Sequence, residues 1–336
     1  MTTMKDIAKR AGVSVSTVSI VINHHEKERR IPLETVAKIH AIAHDLNYRP
    51  NRNARNLRNQ QSLKEIAFCW PADFSSGISQ VIPDLLTQLE LVIQKKKLNW
   101  HLVLQTYERG ILPNLMTSSF ANQYDAMLIG AANKNELTRL EKTDFSCPII
   151  LLNRDSQRFN TIGVPPKAIA NMAISLFKAN DITKFSLVVD DNDYMASNQR
   201  VVMIRKAAEF HDIQIDQTYH AHYSYASGVK VASEILMKKD TNPLLVESDL
   251  TALGMSYSFN RHPSFAKNPL ISLGVLDQGM TRYATPSIST IEIPSAMIAE
   301  RSIKIIEKLF EQPNQIFHED VLPKLNLRDS FPPKLK

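Results

Sequence analysis

Glycine is scarce in this chain. It supplies nine of 336 residues, where average usage would give roughly 24. None of the nine falls in a GxGxxG or GxxxxGK[S/T] pattern, so neither dinucleotide-binding nor phosphate-loop chemistry is expected. HExxH and GxSxG are absent as well, and with them two common hydrolase signatures. There are only two cysteines, Cys69 and Cys147, and they lack metal-ligand spacing. Both read as reduced thiols, so neither a disulfide framework nor a metal centre is expected. No run of about 18 apolar residues offers a membrane span. The start, MTTMKDIAKRAG, carries charges where a signal peptide needs an apolar stretch. The absences together point to a cytoplasmic protein that is not an enzyme and needs no cofactor.

What is present is unevenly distributed. Residues 1–60 hold 11 Lys and Arg against 5 Asp and Glu, while the remaining 276 residues balance at 29 of each. The whole net charge of +6 therefore sits at one end. A small basic domain attached to a neutral body is the footprint of phosphate neutralisation.

Residues 1–46 read as three short helices. Thr3 and Asp6 resemble a capping box, Ile7, Ala8 and Ala11 form an inward face, and Gly12 ends the first helix. Ser14 suits the N-cap of the second, with Val15, Val18, Val21 and Ile22 available to pack. Pro32 opens the third, with a stripe of Val36, Ile39, Ala43 and Leu46. Residues 47–62 are polar and basic and have too little apolar face to fold alone.

From Leu63 onward, short apolar runs alternate with amphipathic stretches. The runs are EIAFCW (65–70), HLVLQ (101–105), AMLIG (126–130), PIILLN (148–153), FSLVVD (185–190), PLLVES (243–248) and PLISLGV (269–275). Helical patterns include 82–96 and 231–239. Strands alternating with helices imply an α/β body with parallel sheets, and two such sets imply two doubly wound lobes. Ligands in such folds sit at the carboxyl ends of the strands.

KDIAKRAGVSVSTVSIVIN (5–23) resembles the DNA-binding headpiece of the LacI/GalR family of bacterial transcription regulators. LNYRPNRNARNL (46–57) is similar to that family's hinge, and SDLTALG (248–254) and RYATPSIST (282–290) are similar to two signatures of its effector domain. The resemblance implies an all-α helix-turn-helix headpiece at 1–46 and a hinge helix and linker at 47–62. It also implies a periplasmic-binding-protein-like core, with a first lobe of 63–164 plus 290–322 and a second of 165–289 plus 323–336. It implies a homodimer on a pseudo-palindromic operator, with a sugar-like effector between the lobes controlling hinge folding. No heptad follows the body, so dimers are expected rather than tetramers.

By the same resemblance, Val15 and Ser16 face base edges, while Ser14, Thr17, Ser19 and Asn23 hold backbone phosphates. Tyr48, Asn51, Arg52 and Arg55 are DNA contacts of the hinge. Ala54 and Leu57 enter the minor groove, Leu57 as a wedge that kinks the duplex. Ile20 departs from the family's T-V-S-R-V motif. An arginine there can grip guanine, a contact worth about 1–3 kcal/mol, whereas isoleucine can only meet a thymine methyl or pack inward. Arg29 lies in a loop longer than the usual family loop, where it either meets phosphate or is simply solvated.

For the effector, the resemblance implies Arg200, Tyr223, Asp249 and Asp277. Asn153 is a candidate toward a ligand or in a structural role, as are Asp73, which can equally be a cap, and Phe74, which can equally be core, in a first-lobe loop that departs from the family pattern. Arg154 is a further candidate, either toward a ligand or as an ion pair. Leu276 and Pro165-Pro166 stand where relatives often carry aspartates, so the cleft has fewer groups to replace a sugar's water. Arg301, Lys304 and Lys308 form a loose basic strip at helical spacing. It carries an alternative, that the body answers to a phosphorylated carrier protein as in the family's catabolite-control branch.

Overall fold

The computed structural model describes residues 4–22, 29, 31–46, 63–72, 81–110, 118–121, 123–145, 147–190, 195–262, 272–277 and 279–331. The chain divides into two compact units, Met1–Ser62 and Leu63–Lys336.

The first unit contains α1 (Met4–Ala11), α2 (Val15–Ile22) and α3 (Leu33–Asp45). Ile7, Ala8 and Ala11 of α1, Val18 and Val21 of α2, and Ile39 and Ala43 of α3 form its core. Gly12 has φ +73°, and the Gly12 and Val13 N–H groups both donate to the Ala8 carbonyl. That left-handed cap needs glycine and sets the turn into α2. Val15 was expected to be available for packing, but it is 41% exposed. It is the first residue of α2 and stands on the flank of the stripe, about 60° from Val18 and about 120° from Val21.

The second unit holds, in chain order, β1 (Lys64–Pro71), α4 (Val81–Lys95), β2 (Trp100–Tyr107), α5 (Ser118–Ala121), β3 (Ala126–Gly130), α6 (Lys134–Leu140), β4 (Ile149–Leu152), β5 (Asn160–Gly163), α7 (Pro166–Ala179), β6 (Lys184–Asp190), α8 (Met195–Phe210), β7 (Gln214–Ala221), α9 (Tyr225–Lys238), β8 (Leu244–Val246), α10 (Asp249–Phe259), β9 (Ser272–Leu276), β10 (Thr290–Glu292), α11 (Ser295–Glu311), β11 (His318–Asp320) and β12 (Lys324–Asn326).

Two six-stranded sheets result, ordered β11-β5-β4-β3-β1-β2 and β12-β10-β9-β8-β6-β7. All pairings are parallel except β10 with β12. Each sheet is doubly wound, and its order reverses beside β1 in the first lobe and beside β6 in the second.

The strand period of two distributes side chains between the faces. Ile66, Phe68 and Trp70 of β1 join Leu85, Leu89 and Ile303 in one core, while Ala67 and Cys69 join Leu140 and Phe159 in another. Burial pushes the Cys69 thiol well above its usual range, with Cys147 nearby adding to the effect. The Cys147 thiol is pushed up to about 12, again first by burial. Both stay protonated and unreactive.

The chain passes between lobes three times, after β5, after β10 and after β11. The division at 290 needs correction, because β10 pairs with β9 and β12 in the second sheet. The second crossing follows Glu292, and α11 then packs on α4 of the first lobe.

Candidate DNA interface and interlobe cleft

Ser14 caps α2. Its Oγ accepts the Thr17 N–H at 3.0 Å and is hydrogen-bonded to Ser16 Oγ at 2.7 Å and Thr17 Oγ1 at 2.8 Å. Ser14, Val15 and Ser16 are exposed, while Thr17, Ser19 and Ile20 are half-buried. Among the described residues, Ile20 is not part of the headpiece core or its rim, although Ile22 is. Arg29 is exposed. Asn23 and the hinge residues Tyr48, Asn51, Arg52, Ala54, Arg55 and Leu57 lie outside the described residues.

In the core unit, the strand ends of both lobes face a narrow cleft with a cavity of about 60 Å³. Asn153, Arg154, Gly163, Gln199 and Arg200 are among its lining residues. Asn153 follows β4 with φ +52°, and its Oδ1 accepts the Val164 N–H at 2.9 Å. A Cβ on Gly163 would lie 2.8 Å from Asn153 Cα. Asn153 thus clamps the first crossing while lining the cleft. Arg154 is buried, with Nε donating to the Ala132 carbonyl at 2.6 Å and Nη1 to the Asn153 carbonyl at 2.7 Å. Burial, with the Arg109 and Arg200 guanidiniums adding to it, pushes its pKa down to about 10 against the pull of Tyr107 and Glu136. Arg154 remains charged at neutral pH.

Arg200 enters from α8. Its Nη2 donates to Tyr223 Oη at 2.7 Å and its Nε to Glu247 Oε1 at 3.3 Å. Arg200 is 7% exposed and Glu247 1%. Burial works against the charge on Arg200, and Tyr223 and Glu247 more than offset it. The Asp190 N–H also points to Glu247 Oε2, at 3.4 Å. Glu247 therefore joins the carboxyl ends of β6 and β8 to the start of α8. Sequence reasoning passed over it, although a carboxylate ending the apolar run PLLVES was a usable signal.

The two remaining aspartates are committed within the second lobe. Asp249, fully buried at the start of α10, accepts from Thr290 Oγ1 at 2.9 Å, and its carboxyl carbon would lie 3.3 Å from a Cβ on Gly274. Both carboxylate oxygens of Asp277 accept from Arg328 Nη2 at 3.0 Å, and the group also accepts from Thr281 Oγ1 at 2.9 Å and Asn326 Nδ2 at 2.7 Å. Asp73 and Phe74 lie outside the described residues. Asn153 and Arg200 line the cleft cavity, Tyr223 adjoins it through its bond to Arg200, and Asp249 and Asp277 are anchored elsewhere.

Of the basic strip on α11, Arg301 and Lys308 meet the β11 segment, while Lys304 is exposed. Arg301 Nη1 donates to the Asp320 carbonyl at 2.9 Å and pairs with Glu319 at 3.5 Å, while Lys308 Nζ stands 4.9 Å over the Phe317 ring. This arrangement does not favour the carrier-protein alternative. Among the described residues there is no cluster of metal-ligating side chains, and no helix is long and apolar enough to cross a membrane.

Residues 3–51 match the family described as bacterial regulatory proteins, lacI family. That match covers the headpiece, which is similar to the DNA-binding segment of the family. The chain's similarity to relatives runs far beyond the headpiece. It is 24% identical to the HTH-type transcriptional regulator MalR of Clostridium butyricum, over 97% of this chain and 98% of that protein. It is also 24% identical to the ribose operon repressor of Haemophilus influenzae, over 98% and 99%. The Lac repressor dimer bound to operator and the anti-inducer ONPF shares the fold, with a TM-score of 0.68 at 20% identity over 99% of both chains. With that headpiece the chain is a DNA-binding transcriptional regulator, and the relatives it matches are regulators.

Proposed function

We propose that the protein is a repressor that binds a pseudo-palindromic operator as a homodimer and answers to a small, sugar-like effector between its lobes. The observation that carries the reading is the serine-capped α2 of a LacI-family headpiece. Its hydroxyls suit phosphate positioning, and its exposed residues suit the major groove. A twofold dimer sets two such helices in successive grooves. Tyr225 and Tyr257, exposed with ring centroids 5.8 Å apart, offer the second copy an aromatic surface. The hinge arginines 49, 52, 55 and 58 add phosphate contacts once ordered on DNA, and Leu57 wedges a central base step.

For the effector, Arg200, Tyr223 and Asn153 are the contacts we assign, joined by Arg154 and Glu247. They supply charged donors, a phenol and a carboxylate, which can replace the water around sugar hydroxyls. A cavity of about 60 Å³ holds about two waters, far below the several hundred Å³ of a loaded pocket. On this reading the lobes part to admit the effector, and that motion is transmitted to the hinge. A ligand that binds the opened form better shifts the population by its differential affinity.

Selection of binding sites from a random duplex pool with the full chain tests the first half. Recovery of a twofold-symmetric sequence is expected, and an unenriched pool refutes the reading. Calorimetric titration with a panel of sugars and sugar phosphates tests the second half. The expected result is saturable heat with one class of sugar, abolished by Arg200→Met.

A further inference from the structure

We propose that α2 selects its site by contact with thymine 5-methyl groups, Ile20 and Val15 being the side chains that meet them. The proposal rests on the DNA-binding reading above and adds the chemistry of discrimination to it. The observation is a helix with an unusual outer face. Val15–Ile22 reads VSTVSIVI, with no charged and no carboxamide side chain. Guanine is read by the paired donors of arginine or lysine, and adenine by the carboxamide of asparagine or glutamine. None of these is available on α2. Its side chains offer only hydroxyls and branched hydrocarbon.

The hydroxyls of the first turn are already engaged in the free protein. Ser14 Oγ bonds to Ser16 Oγ and to Thr17 Oγ1, and also accepts the Thr17 main-chain N–H. Val18 and Val21 are fully buried in the headpiece. At 100° per residue the opposite face carries Ser16, Ser19 and Ile20, with Val15 at its edge. Val15 is 41% exposed. Ile20 is half-buried and, among the described residues, outside the headpiece cluster. Two β-branched apolar side chains thus stand on the outer face of a helix whose inner face has its own valines. Among the four base pairs, the hydrocarbon feature in the major groove is the methyl of thymine.

The test uses the full chain and the duplexes it selects. Replacing one thymidine per half-site with deoxyuridine removes a methyl and leaves the pairing intact. At one or two positions the affinity should fall about fourfold, the worth of one buried methyl-sized group. Ile20→Ala, checked for an unchanged melting curve, should lose similar affinity on the thymine duplex and no longer distinguish thymine from uracil at one of these positions. Val15→Ala should do the same at another. Uracil duplexes that bind as tightly as thymine duplexes at every position overturn the proposal. Uracil sensitivity that persists unchanged in both variants overturns it too. A pool that yields no preferred sequence overturns the DNA-binding reading along with it, and so is distinct from a failure of the methyl contact alone.

Discussion

Replacing Gly254 with alanine sets helix propensity against packing. Gly254 lies inside α10, where alanine is intrinsically better by about 0.8–1 kcal/mol. On propensity alone the variant is stabilised. The helix crossing says otherwise. A Cβ at Gly254 would overlap the Tyr225 carbonyl oxygen of α9, with the carbonyl carbon at 2.9 Å and the Val229 nitrogen at 3.0 Å. All three are main-chain atoms, so no side chain can swing aside. Gly228 of α9 faces the same crossing, where its own Cβ would overlap the Thr251 carbonyl oxygen. To admit one methyl the helices must separate, and Val231, Ala232, Ile235, Ala252, Met255 and Phe259 lie in the core cluster they share. A gap of about 0.5–1 Å forfeits a quarter to a half of each dispersion well across such an interface. Overpacking of this kind costs about 1–3 kcal/mol, which exceeds the propensity gain. Gly254→Ala should therefore lower the denaturant midpoint of the core unit, read by circular dichroism. Gly279→Ala, which meets nothing within 4 Å, should shift it little. A Gly254→Ala protein as stable as the parent, or more so, would refute the argument.

Three other outcomes follow from single groups. Asp240 accepts from Ser186 Oγ at 2.6 Å, Tyr219 Oη at 2.9 Å and Asn242. Burial alone would raise its pKa, but these donors outweigh it and hold the carboxyl below its usual range. Its contribution to stability is thus complete above about pH 4–5 and is lost as pH falls through the depressed value. Asp240→Asn should cost about 1–3 kcal/mol at neutral pH, with the gap to the parent closing in acid, as followed by pH-dependent unfolding. Glu247→Leu strands the buried Arg200 charge and should cost about 3–5 kcal/mol, whereas the double variant with Arg200→Met should recover most of it in calorimetric melting. Leu57→Ala should weaken operator binding about tenfold or more in a mobility-shift assay and leave the headpiece folded, because the wedge acts only on the kinked duplex.

Much of this architecture was legible from residue order alone, for identifiable reasons. The strands seen in advance are the buried ones, such as AMLIG and FSLVVD, whose continuous apolar runs stand out from their surroundings. The missed strands are polar or short. β7 lies at a sheet edge, and only Tyr219 and Ala221 of QIDQTYHA are buried, so it lacks an apolar run. β5, β10, β11 and β12 span three or four residues each, too few to show a period. The displaced lobe division has the same origin, since nothing local in Thr290–Glu292 says which sheet it will join. In the headpiece, helical spacing identified Val18 and Val21 as inward but could not exclude Val15. In the cleft, the residue types were visible but their partners were not. That Arg200 meets Glu247 and Tyr223, and that Asp277 meets Arg328, depends on segments 47, 23 and 51 residues apart.

The three passages between lobes also govern the order in which the molecule can be made. The first sheet begins with β1 at Lys64 yet receives its edge strand β11 only at His318–Asp320. One of its covering helices, α11, comes just before that. Everything that builds the second lobe except β12 lies between. On the ribosome, the first lobe therefore waits uncovered on one face while the second lobe emerges. Such long-range closure slows folding and leaves apolar surface open to wrong partners. The stretch from α11 to β12, Ser295–Asn326, thus decides when both halves become whole.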